Sequence, residues 1–447
     1  MVRWHPLPVL LIGMLTLASR ATAAQQDAAW RAAQVAAAER SEQIMATAAR
    51  RKDLLDQYRV MMDAASAAPA EDRVFNIIFS QYLSWYQSFI GDYPNAQASY
   101  SIGQPAQPDD APSPLAAGWR MQDARVAIAR LARGRRVVLF NEAHNVPLTR
   151  TLTVAMLATL RAEGFNYFAV ETLYGDDHAL AKRGYVTADS GFYTREPIYA
   201  EMVRSALRLG FTVVAYESDQ PGTADERERT QARNLYDRVF RRDPRARLVV
   251  NAGYAHIQES GAYLGGRSMA QYLQQLDGID ALTVEQTMLI PHPQATQDHP
   301  WYTAAMATRH PDQPFVFVDR DGKPWSLRPG YDVSVFFPPP RLRRERPTWL
   351  GLWGLRRPYF VSGDTACAQR WPCLVEALPA NEGDDAVAAD RLLFDPPPNP
   401  PPLHDRVRPL RGATAGELYL RPGVYRLRIS GADGRVSVRR NVRIPAR

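Results

Sequence analysis

Between about residues 120 and 320, short apolar runs alternate with longer amphipathic stretches. The runs are rich in β-branched residues, as in "RRVVLFNEAH", "NYFAVETL", "TVVAYESD", "ARLVVNAGYAHI", "DALTVEQTML" and "PFVFVD". Stretches of helical character, such as "TLTVAMLATLRAEG" and "RERTQARNLYDRVFRRD", separate many of them. Strand-like runs separated by helices are typical of βαβ units. The pattern therefore predicts an α/β fold with a mostly parallel sheet and flanking helices.

The region before this one has a helical pattern. Residues 25 to about 92 are rich in Ala, Glu, Gln and Arg, which favour helices. One predicted helix carries an aromatic stripe with i, i+3, i+4 spacing, and we expect that face to pack on the main domain. The stripe consists of Phe75, Ile78, Phe79, Tyr82, Tyr86 and Phe89.

The region after it alternates with a period of two. In "GELYLRPGVYRLRISGADGRVSVRRNVRIP", Tyr425, Leu427 and Ile429 fall on one face and arginines on the other. "GADG" has the composition of a hairpin turn. This pattern predicts a small antiparallel β unit with an accessory role. The preceding "DPPPNPPP" (395–402) has the composition of a stiff spacer.

The first 24 residues have the pattern of a secretory signal peptide. Arg3 supplies a positive charge, "LPVLLIGMLTLA" an apolar run and "ATA" (21–23) a small-residue cleavage site. We therefore expect a periplasmic or secreted protein. No later apolar stretch reaches the roughly 20 residues that a membrane-spanning helix needs.

The patterns divide the chain into a signal peptide (1–24), an N-terminal helical region (25–115), an α/β catalytic-type domain (116–335) and a Pro-rich and β-rich accessory region (336–447).

Charge and cysteine content narrow the range of partners. The net charge is +7, but only Lys52, Lys182 and Lys323 among the 54 basic residues are lysines. Arginine clusters such as "RLRRERP" (341–347) lack interleaved aromatic residues, so we expect no nucleic-acid partner.

Cys367 and Cys373 are the two cysteines, and in an exported chain they predict a disulfide that closes a short loop.

Chemically active side chains follow each of the first four predicted strands. Glu142 and His144 end the first, Glu171 the second, Glu217 with Asp219 the third, and His256 the fourth. Ligands of open parallel sheets bind beyond the carboxyl ends of the strands, so these side chains should share one rim. Since Glu142 and His144 are two residues apart, they should project to the same side.

Two kinds of chemistry fit this set. The residues Glu142, His144, Glu171, His256 and Glu217 could bind a divalent metal that activates water. Alternatively, His144 acts as a general base oriented by Glu171, and His256 or an arginine stabilises the developing oxyanion. Arg227 is a candidate for that arginine, and Arg150 could reach an anionic substrate.

The order of "NEAH", "VET", "RERTQARN" and "GYAHI" resembles a known superfamily. That superfamily groups the erythromycin esterases, the ChaN-type haem-binding proteins and the TraB/Tiki metalloproteases. The resemblance covers about residues 135–290, and its strength lies in the order of motifs that are individually weak. The matching positions are Glu142 and His144, Glu171, Arg227 with Glu228, Ala232 and Asn234, and Gly253 with His256.

One departure from this pattern is Asn141, which stands where the first motif usually has glycine. The spacing in "NEAHN" is nearest the ChaN and Tiki form. The Tiki branch implies metal binding (Mn, Co, Zn or Fe), and the esterase branch implies hydrolysis without a required metal. The resemblance thus implies an exported hydrolase that cleaves an ester, lactone or peptide bond in a small-molecule or peptide substrate. The alternatives are a non-enzymatic haem- or iron-binding protein, as in ChaN, and a degenerate structural module.

Overall fold

The computed structural model describes residues 20–218, 222–368, 370–395, 415–432 and 434–446. Most of the predicted signal peptide, Asp219 and nearly all of the polyproline-like spacer lie outside these residues. Within them, no helix combines the length and apolar character needed to cross a membrane. The chain begins with the helices α1 (Arg20–Ala49), α2 (Leu54–Ala67), α3 (Arg73–Ile90) and α4 (Tyr93–Ser99).

The central region contains a six-stranded, entirely parallel sheet with strand order β4-β3-β5-β2-β6-β8. The predicted α/β fold class is confirmed. The elements of this region are β1 (Arg120–Asp123), α5 (Ala124–Ala132), β2 (Val137–Glu142), α6 (Leu148–Ala162), β3 (Tyr167–Val170), α7 (Leu180–Arg183), α8 (Pro197–Arg208), β4 (Thr212–Ala215), α9 (Ala224–Leu235), β5 (Leu248–Gly253), α10 (Met269–Asp277), β6 (Ala281–Glu285), α11 (Pro300–Arg309), β7 (Phe315–Val318) and β8 (Val333–Ser334).

The sheet forms from these residues because both of its faces are covered. Every residue of β2, β5 and β6 is buried, which explains why the runs read as continuously apolar rather than alternating. The interpretation of "PFVFVD" as part of this series is wrong. That run forms β7, which pairs antiparallel with β1 in a separate two-stranded sheet. An apolar run does not show which strand it pairs with. The two-residue strand β8 lies beside β6 at the edge of the parallel sheet.

The N-terminal helices pack on the main domain through the aromatic stripe, as predicted. The side chain of Asp72 caps the start of α3 by accepting a hydrogen bond from Phe75 N (3.2 Å), and Gly91, in the left-handed conformation, caps its end. Of the stripe, all but Ile78 is buried. Phe89 and its neighbour Trp85 contact the ring of Phe192 edge-on, at centroid distances of 5.4 and 5.3 Å.

The C-terminal region forms the predicted antiparallel unit. A four-stranded sheet has the order β13-β12-β15-β16, and β11 pairs with β14. Tyr425, Leu427 and Ile429 of β15 are buried, as their alternation indicates. Cys367 and Cys373 form the predicted disulfide. The elements are β9 (Leu342–Arg343), β10 (Arg346–Pro347), β11 (Arg357–Ser362), α12 (Gly363–Cys367), β12 (Cys373–Pro379), β13 (Asp390–Phe394), β14 (Ala415–Leu420), β15 (Gly423–Gly431) and β16 (Val436–Ile444).

Candidate active site

Four neighbouring strands end at one edge of the sheet with the side chains that the sequence singles out. The order β4-β3-β5-β2 places Glu217, Glu171, His256 and Glu142 along this edge. Glu142 is the last residue of β2, and Glu171 directly follows β3. His256 lies in a short 3-10 turn, Tyr254–Ile257, just after β5. Because the strands are parallel, their carboxyl ends meet here.

Glu142 and His144 contact each other, as their spacing predicts. Nδ1 of His144 lies 3.2 Å from Oε1 of Glu142, and both side chains are buried. Burial, the largest influence, raises the pKa of Glu142, but Arg150 and His144 more than offset it, so the pKa is lowered. An ionised carboxylate only accepts hydrogen bonds. In the neutral imidazole, Nδ1 therefore carries the proton and Nε2 keeps its lone pair.

A fully buried arginine holds Glu142 in place. Arg150 donates from Nε to Oε2 (2.6 Å) and from Nη2 to Oε1 (2.7 Å) of Glu142, in a bidentate arrangement. Its Nη2 also reaches the carbonyl of His144, and its Nη1 donates to Glu196 (3.0 Å). Asn251 adds a third bond to Glu142 (2.7 Å). Arg150 thus positions Glu142 and is not exposed to an external anion.

Two tyrosine rings pack against the ring of His144. Tyr193 stacks on it with centroids 4.1 Å apart and planes 17° apart, and Tyr254 meets it edge-on at 5.0 Å. Within the described part of the chain, Nε2 makes no hydrogen bond. The side chain of His144 is 7% exposed.

Gly253 leaves room for the Nε2 edge of the His144 ring. Its backbone is extended (φ −73°), a conformation that any residue adopts. A Cβ there would lie 2.6 Å from Nε2 of His144 and 3.0 Å from Oε2 of Glu171. The glycine is therefore required by the close approach of these two side chains and not by backbone strain.

Glu171, Arg227 and Glu217 form a second cluster beside the first. Arg227 donates from Nη2 to Glu171 (2.8 Å), and from Nε (2.9 Å) and Nη2 (2.6 Å) to Glu217. The other oxygen of Glu171 accepts from Gly253 N (2.5 Å). Burial raises the pKa of Glu171, but His256, Arg227 and His144 together lower it well below its ordinary value. The sequence predicts that Glu171 orients His144. In the structure Glu142 has that position, because both oxygens of Glu171 are engaged elsewhere.

His256 joins the second cluster as a cation. Its Nδ1 lies 2.8 Å from Oε2 of Glu228, and its Nε2 lies 3.4 Å from Glu171 and 3.3 Å from Nη1 of Arg227. Burial lowers the pKa of His256, but Glu228 and Glu171 outweigh it and raise the pKa to about 10. The ring is therefore an imidazolium at neutral pH. Helix α9, which carries Arg227 and Glu228, begins with a capping box of Thr223 and Glu226.

Asn141, the departure from the motif, is used to hold the loops at this edge. Its Nδ2 donates to the carbonyl of Tyr254 (2.8 Å), and its Oδ1 accepts from the backbone N of Gln286 (2.6 Å). These bonds connect the end of β2 to the turn that bears His256 and to the segment after β6. Asn141 thus braces the loops around the site, and its amide is not available to a substrate.

Of the five predicted metal ligands, all but His144 either bind a cation of the protein or carry a positive charge. Glu142 is bound by Arg150, Glu171 and Glu217 are bound by Arg227, and His256 is an imidazolium. A divalent ion needs deprotonated ligands with free lone pairs, so the donor set, as arranged, does not fit one. Among the described residues, no group of three His, Cys, Asp or Glu side chains has the arrangement of a metal site. Metal binding stays a prediction from the sequence, and haem binding stays a prediction from the resemblance.

Three functional contacts come from residues that the sequence analysis passes over. Glu196 is the N-cap of α8, Asn251 lies inside β5, and Tyr193 lies in the turn Tyr193–Arg195. None of them follows a strand, which is the signal that finds the other site residues. A polar Asn251 within the apolar "RLVVNAG" is the one visible sign, because a buried amide in a strand needs a partner.

Comparison with known proteins adds little. No protein-family model matches the sequence, and no curated protein matches it significantly. Among solved structures, the chain has a slight similarity to the type III effector HopBA1 (14% identity, 40% of this chain and 87% of that chain, TM-score 0.27). It is similar to the same degree to RRSP, a MARTX toxin effector domain from Vibrio vulnificus (13%, 55% and 55%, 0.29). A third is the C-terminal region of Pasteurella multocida toxin, described as having a thiol-protease like catalytic triad (14%, 55% and 37%, 0.28). The chain spans about half or less of the latter two, and these TM-scores are too low to indicate a shared fold or activity.

Proposed function

We propose that the protein is an exported hydrolase that activates water at His144 to cleave an ester, lactone or peptide bond. One observation carries the proposal. His144 has a carboxylate at Nδ1 and an Nε2 without a hydrogen-bond partner among the described residues. A histidine with one nitrogen oriented by a carboxylate and the other open is the arrangement of a general base.

In the first step, Nε2 of His144 accepts a proton from water while the oxygen of that water attacks the carbonyl carbon. The imidazolium that forms is stabilised by Glu142, and Glu142 stays ionised because Arg150 binds both of its oxygens. The negative charge moves to the carbonyl oxygen of the substrate. This step needs no group other than water and the side chains described.

Arg227 and His256 supply positive charge for the resulting oxyanion. Nη1 of Arg227 and Nε2 of His256 lie 3.3 Å apart beside Glu171, which also borders His144 across Gly253. Fixed cationic donors stabilise developing negative charge more than water does. When the tetrahedral intermediate collapses, the leaving alkoxide or amine takes the proton back from His144. The carboxylic acid product then leaves, and the neutral histidine is restored.

We expect His144→Ala to lower kcat/KM for a hydrolysable ester by about 10²- to 10⁴-fold, the usual contribution of a general base. The assay is a panel of p-nitrophenyl esters, aryl lactones and peptides, with and without a chelator. Gly253→Ala provides a second variant, because its methyl group would displace the His144 ring while the backbone tolerates alanine. The exposed His178→Ala is the matched control and should keep full activity.

The outcome also separates the proposal from its alternatives. A His144→Ala protein that retains its activity would contradict the proposal. So would wild-type activity that requires a bound metal, if the His144→Ala protein no longer binds that metal. If the purified wild type hydrolyses none of these substrates, a Soret band on adding haem would favour the haem-binding alternative. Unchanged thermal stability in the inactive variants would separate loss of chemistry from loss of fold.

A further inference from the structure

A cluster of arginines lies where helix α8 meets the C-terminal unit. On α8, Glu201, Ser205 and Arg208 fall at i, i+4 and i+7, which places them on one face of the helix. Arg356, which precedes β11, and Arg421, which follows β14, approach this face from the C-terminal unit. Arg208 is the last residue of α8, whereas the candidate active site adjoins the N-terminus of this helix.

Three arginines of this cluster share one buried carboxylate. Glu201 accepts hydrogen bonds from Nη2 of Arg356 (3.1 Å) and from Nε of Arg421. It also accepts one from Nη2 of Arg208 (3.4 Å). Among the described residues, Glu201 is the one carboxylate that forms an ion pair with any of the three. Three positive charges against one negative charge leave an excess of two positive charges.

The neighbouring charges do not cancel this excess, because they are already paired with each other. Arg204 of α8 donates to both oxygens of Glu382 (2.6 and 2.7 Å). Asp390, whose charge acts on Arg356, binds Arg346 (2.6 Å). Each of these two pairs is neutral, so the excess of positive charge around Glu201 remains.

The cluster also has more hydrogen-bond donors than acceptors. Nε and Nη1 of the fully buried Arg356 have no hydrogen-bond partner among the described residues. Buried donors without an acceptor are rare in native proteins. Burial lowers the pKa of Arg421, and repulsion from Arg208 and Arg356 lowers it further against the effect of Glu201. Both observations indicate that the cluster would gain from an additional anion.

Two of the guanidinium groups lie side by side where the cluster reaches the surface. The hydroxyl of Ser205 accepts from Nη2 of Arg208 (3.2 Å) and from Nη2 of Arg421 (3.1 Å). The side chain of Arg208 is 53% exposed and that of Arg421 is 21% exposed. In the described part of the chain, Nη1 of either arginine makes no hydrogen bond. Adjacent arginine forks with unused N–H groups match the oxygens of a phosphate group.

We propose that this cluster is a second binding site, for the phosphate group of a phosphomonoester, which Arg208 and Arg421 bind while Arg356 adds its charge from the interior. At pH 7.5 such a group carries close to two negative charges, which is the excess of positive charge in the cluster. The proposal does not depend on the hydrolase activity, since no residue is shared between the two sites.

Two anions of one shape test the choice of charge. We expect phenyl phosphate to bind the full-length protein at pH 7.5 about tenfold or more tightly than phenyl sulfate, because the sulfate carries a single negative charge. Titration followed by ligand-observed NMR measures both affinities. Equal affinity for the two anions, or no binding at 10 mM phenyl phosphate (roughly the weakest affinity of a fragment ligand), would overturn the proposal.

The preference for phenyl phosphate should shrink several-fold at pH 5. A phosphomonoester has a second pKa of about 6 and carries one negative charge below it. The site keeps its own charge at that pH. Burial raises the pKa of Glu201, but the surrounding arginines more than offset it and hold the pKa well below its ordinary value. A preference that is the same at both pH values would contradict recognition of the second charge.

A phosphomonoester occurs both in soluble compounds and in lipid headgroups, and vesicles distinguish these sources. Sedimentation with vesicles that contain phosphatidic acid, but not with vesicles that contain phosphatidylglycerol at the same surface charge, would support the proposal and identify a lipid headgroup. Binding of phenyl phosphate without sedimentation with either kind of vesicle would support it and identify a soluble ligand.

Variants place the binding in the cluster. Arg208→Gln and Arg421→Gln should each weaken the binding of phenyl phosphate by about tenfold and reduce its preference over phenyl sulfate, because each removes one positive charge. Arg241→Gln, at an exposed ion pair outside the cluster, is the matched control and should bind as wild type. Since the side chain of Arg208 is half exposed, Arg208→Gln keeps the test valid if Arg421→Gln does not fold. Unchanged binding in either folded cluster variant would overturn the assignment of the ligand to this cluster.

Discussion

At the scale of single residues, the two site histidines differ because their partners differ. His144 has one carboxylate at Nδ1 and none hydrogen-bonded to Nε2, whereas His256 lies between Glu228 and Glu171. The first arrangement leaves a lone pair for proton transfer, and the second fixes a positive charge. A sequence motif that contains two histidines cannot distinguish these roles, since the carboxylates that decide them come from other parts of the chain.

The charge of His256 has a consequence for stability. Its pKa is about 10 in the folded protein, against an ordinary value of 6.5, so the folded state holds the proton more tightly. The stabilisation is complete below about pH 6.5 and is lost as the pH rises toward 10. We expect the difference in unfolding free energy between wild type and His256→Gln to shrink by a few kcal/mol over this range. Urea unfolding at five pH values measures it, and a difference that stays constant with pH would show that His256 is neutral.

The residues that could be predicted from the sequence are those tied to the strand ends. Glu142, His144, Glu171, Glu217 and His256 follow apolar runs, and parallel strands bring such positions together. Glu196 and Asn251 could not be assigned, because their roles depend on which helix terminus and which strand face adjoin Glu142. Arg150 is visible in the sequence, but only its burial between two glutamates shows that it positions Glu142.

At the scale of elements, helix α8 is built into the candidate active site through its N-terminus. Glu196 accepts bonds from the backbone N of Ile198 and Tyr199 (both 2.8 Å), and it also binds Arg150 and the hydroxyl of Tyr93. One carboxylate thus caps the helix, neutralises the buried guanidinium and contacts the N-terminal helical region. The fold class follows from the apolar pattern, but this connection does not, because caps carry no periodicity.

Removing the charge of Glu196 should therefore destabilise the protein strongly. We expect Glu196→Gln to lower the unfolding free energy by about 3–5 kcal/mol, since Arg150 would lose one of its two buried anions. Glu163→Gln is the matched control. It breaks a surface ion pair with Arg133, and its effect should stay below about 1 kcal/mol. Equilibrium denaturation of both variants measures the difference, and similar small losses would mean that Arg150 does not depend on Glu196.

At the scale of the whole molecule, one apolar core extends through all three regions of the chain. It contains Phe79 of the N-terminal helices, Phe140 of the central sheet, and Leu374 and Tyr419 of the C-terminal unit. Arg391 adds a polar connection. It binds Glu376 (2.9 Å) and donates to the carbonyls of Phe89 and Arg195 (2.7 Å each). The regions were defined from changes in hydrophobic periodicity along the sequence. Periodicity does not show whether two regions share a core.

We expect the protein to unfold in a single transition, and Arg391→Met to lower its stability by about 3–5 kcal/mol without separating the C-terminal unit. Among the described residues, the variant leaves Arg428 as the cation bound to Glu376, and two carbonyls lose their donor. Far-ultraviolet circular dichroism and tryptophan fluorescence should give coincident curves. Arg241→Met, at an exposed ion pair, is the control and should change little. An early, separate transition in the variant would indicate that the C-terminal unit is an independent domain.

The shared core also bears on the order in which the chain can fold during its synthesis. The contact between Arg391 and the carbonyl of Phe89 joins residues 302 positions apart, and β14 must arrive before β11 has its partner. Contacts this distant in sequence close slowly. The carbonyl of Phe89, near the end of α3, therefore lacks this donor until residue 391 has been synthesised. The native contacts between the N-terminal helices and the C-terminal unit can form only after the last strands have been made.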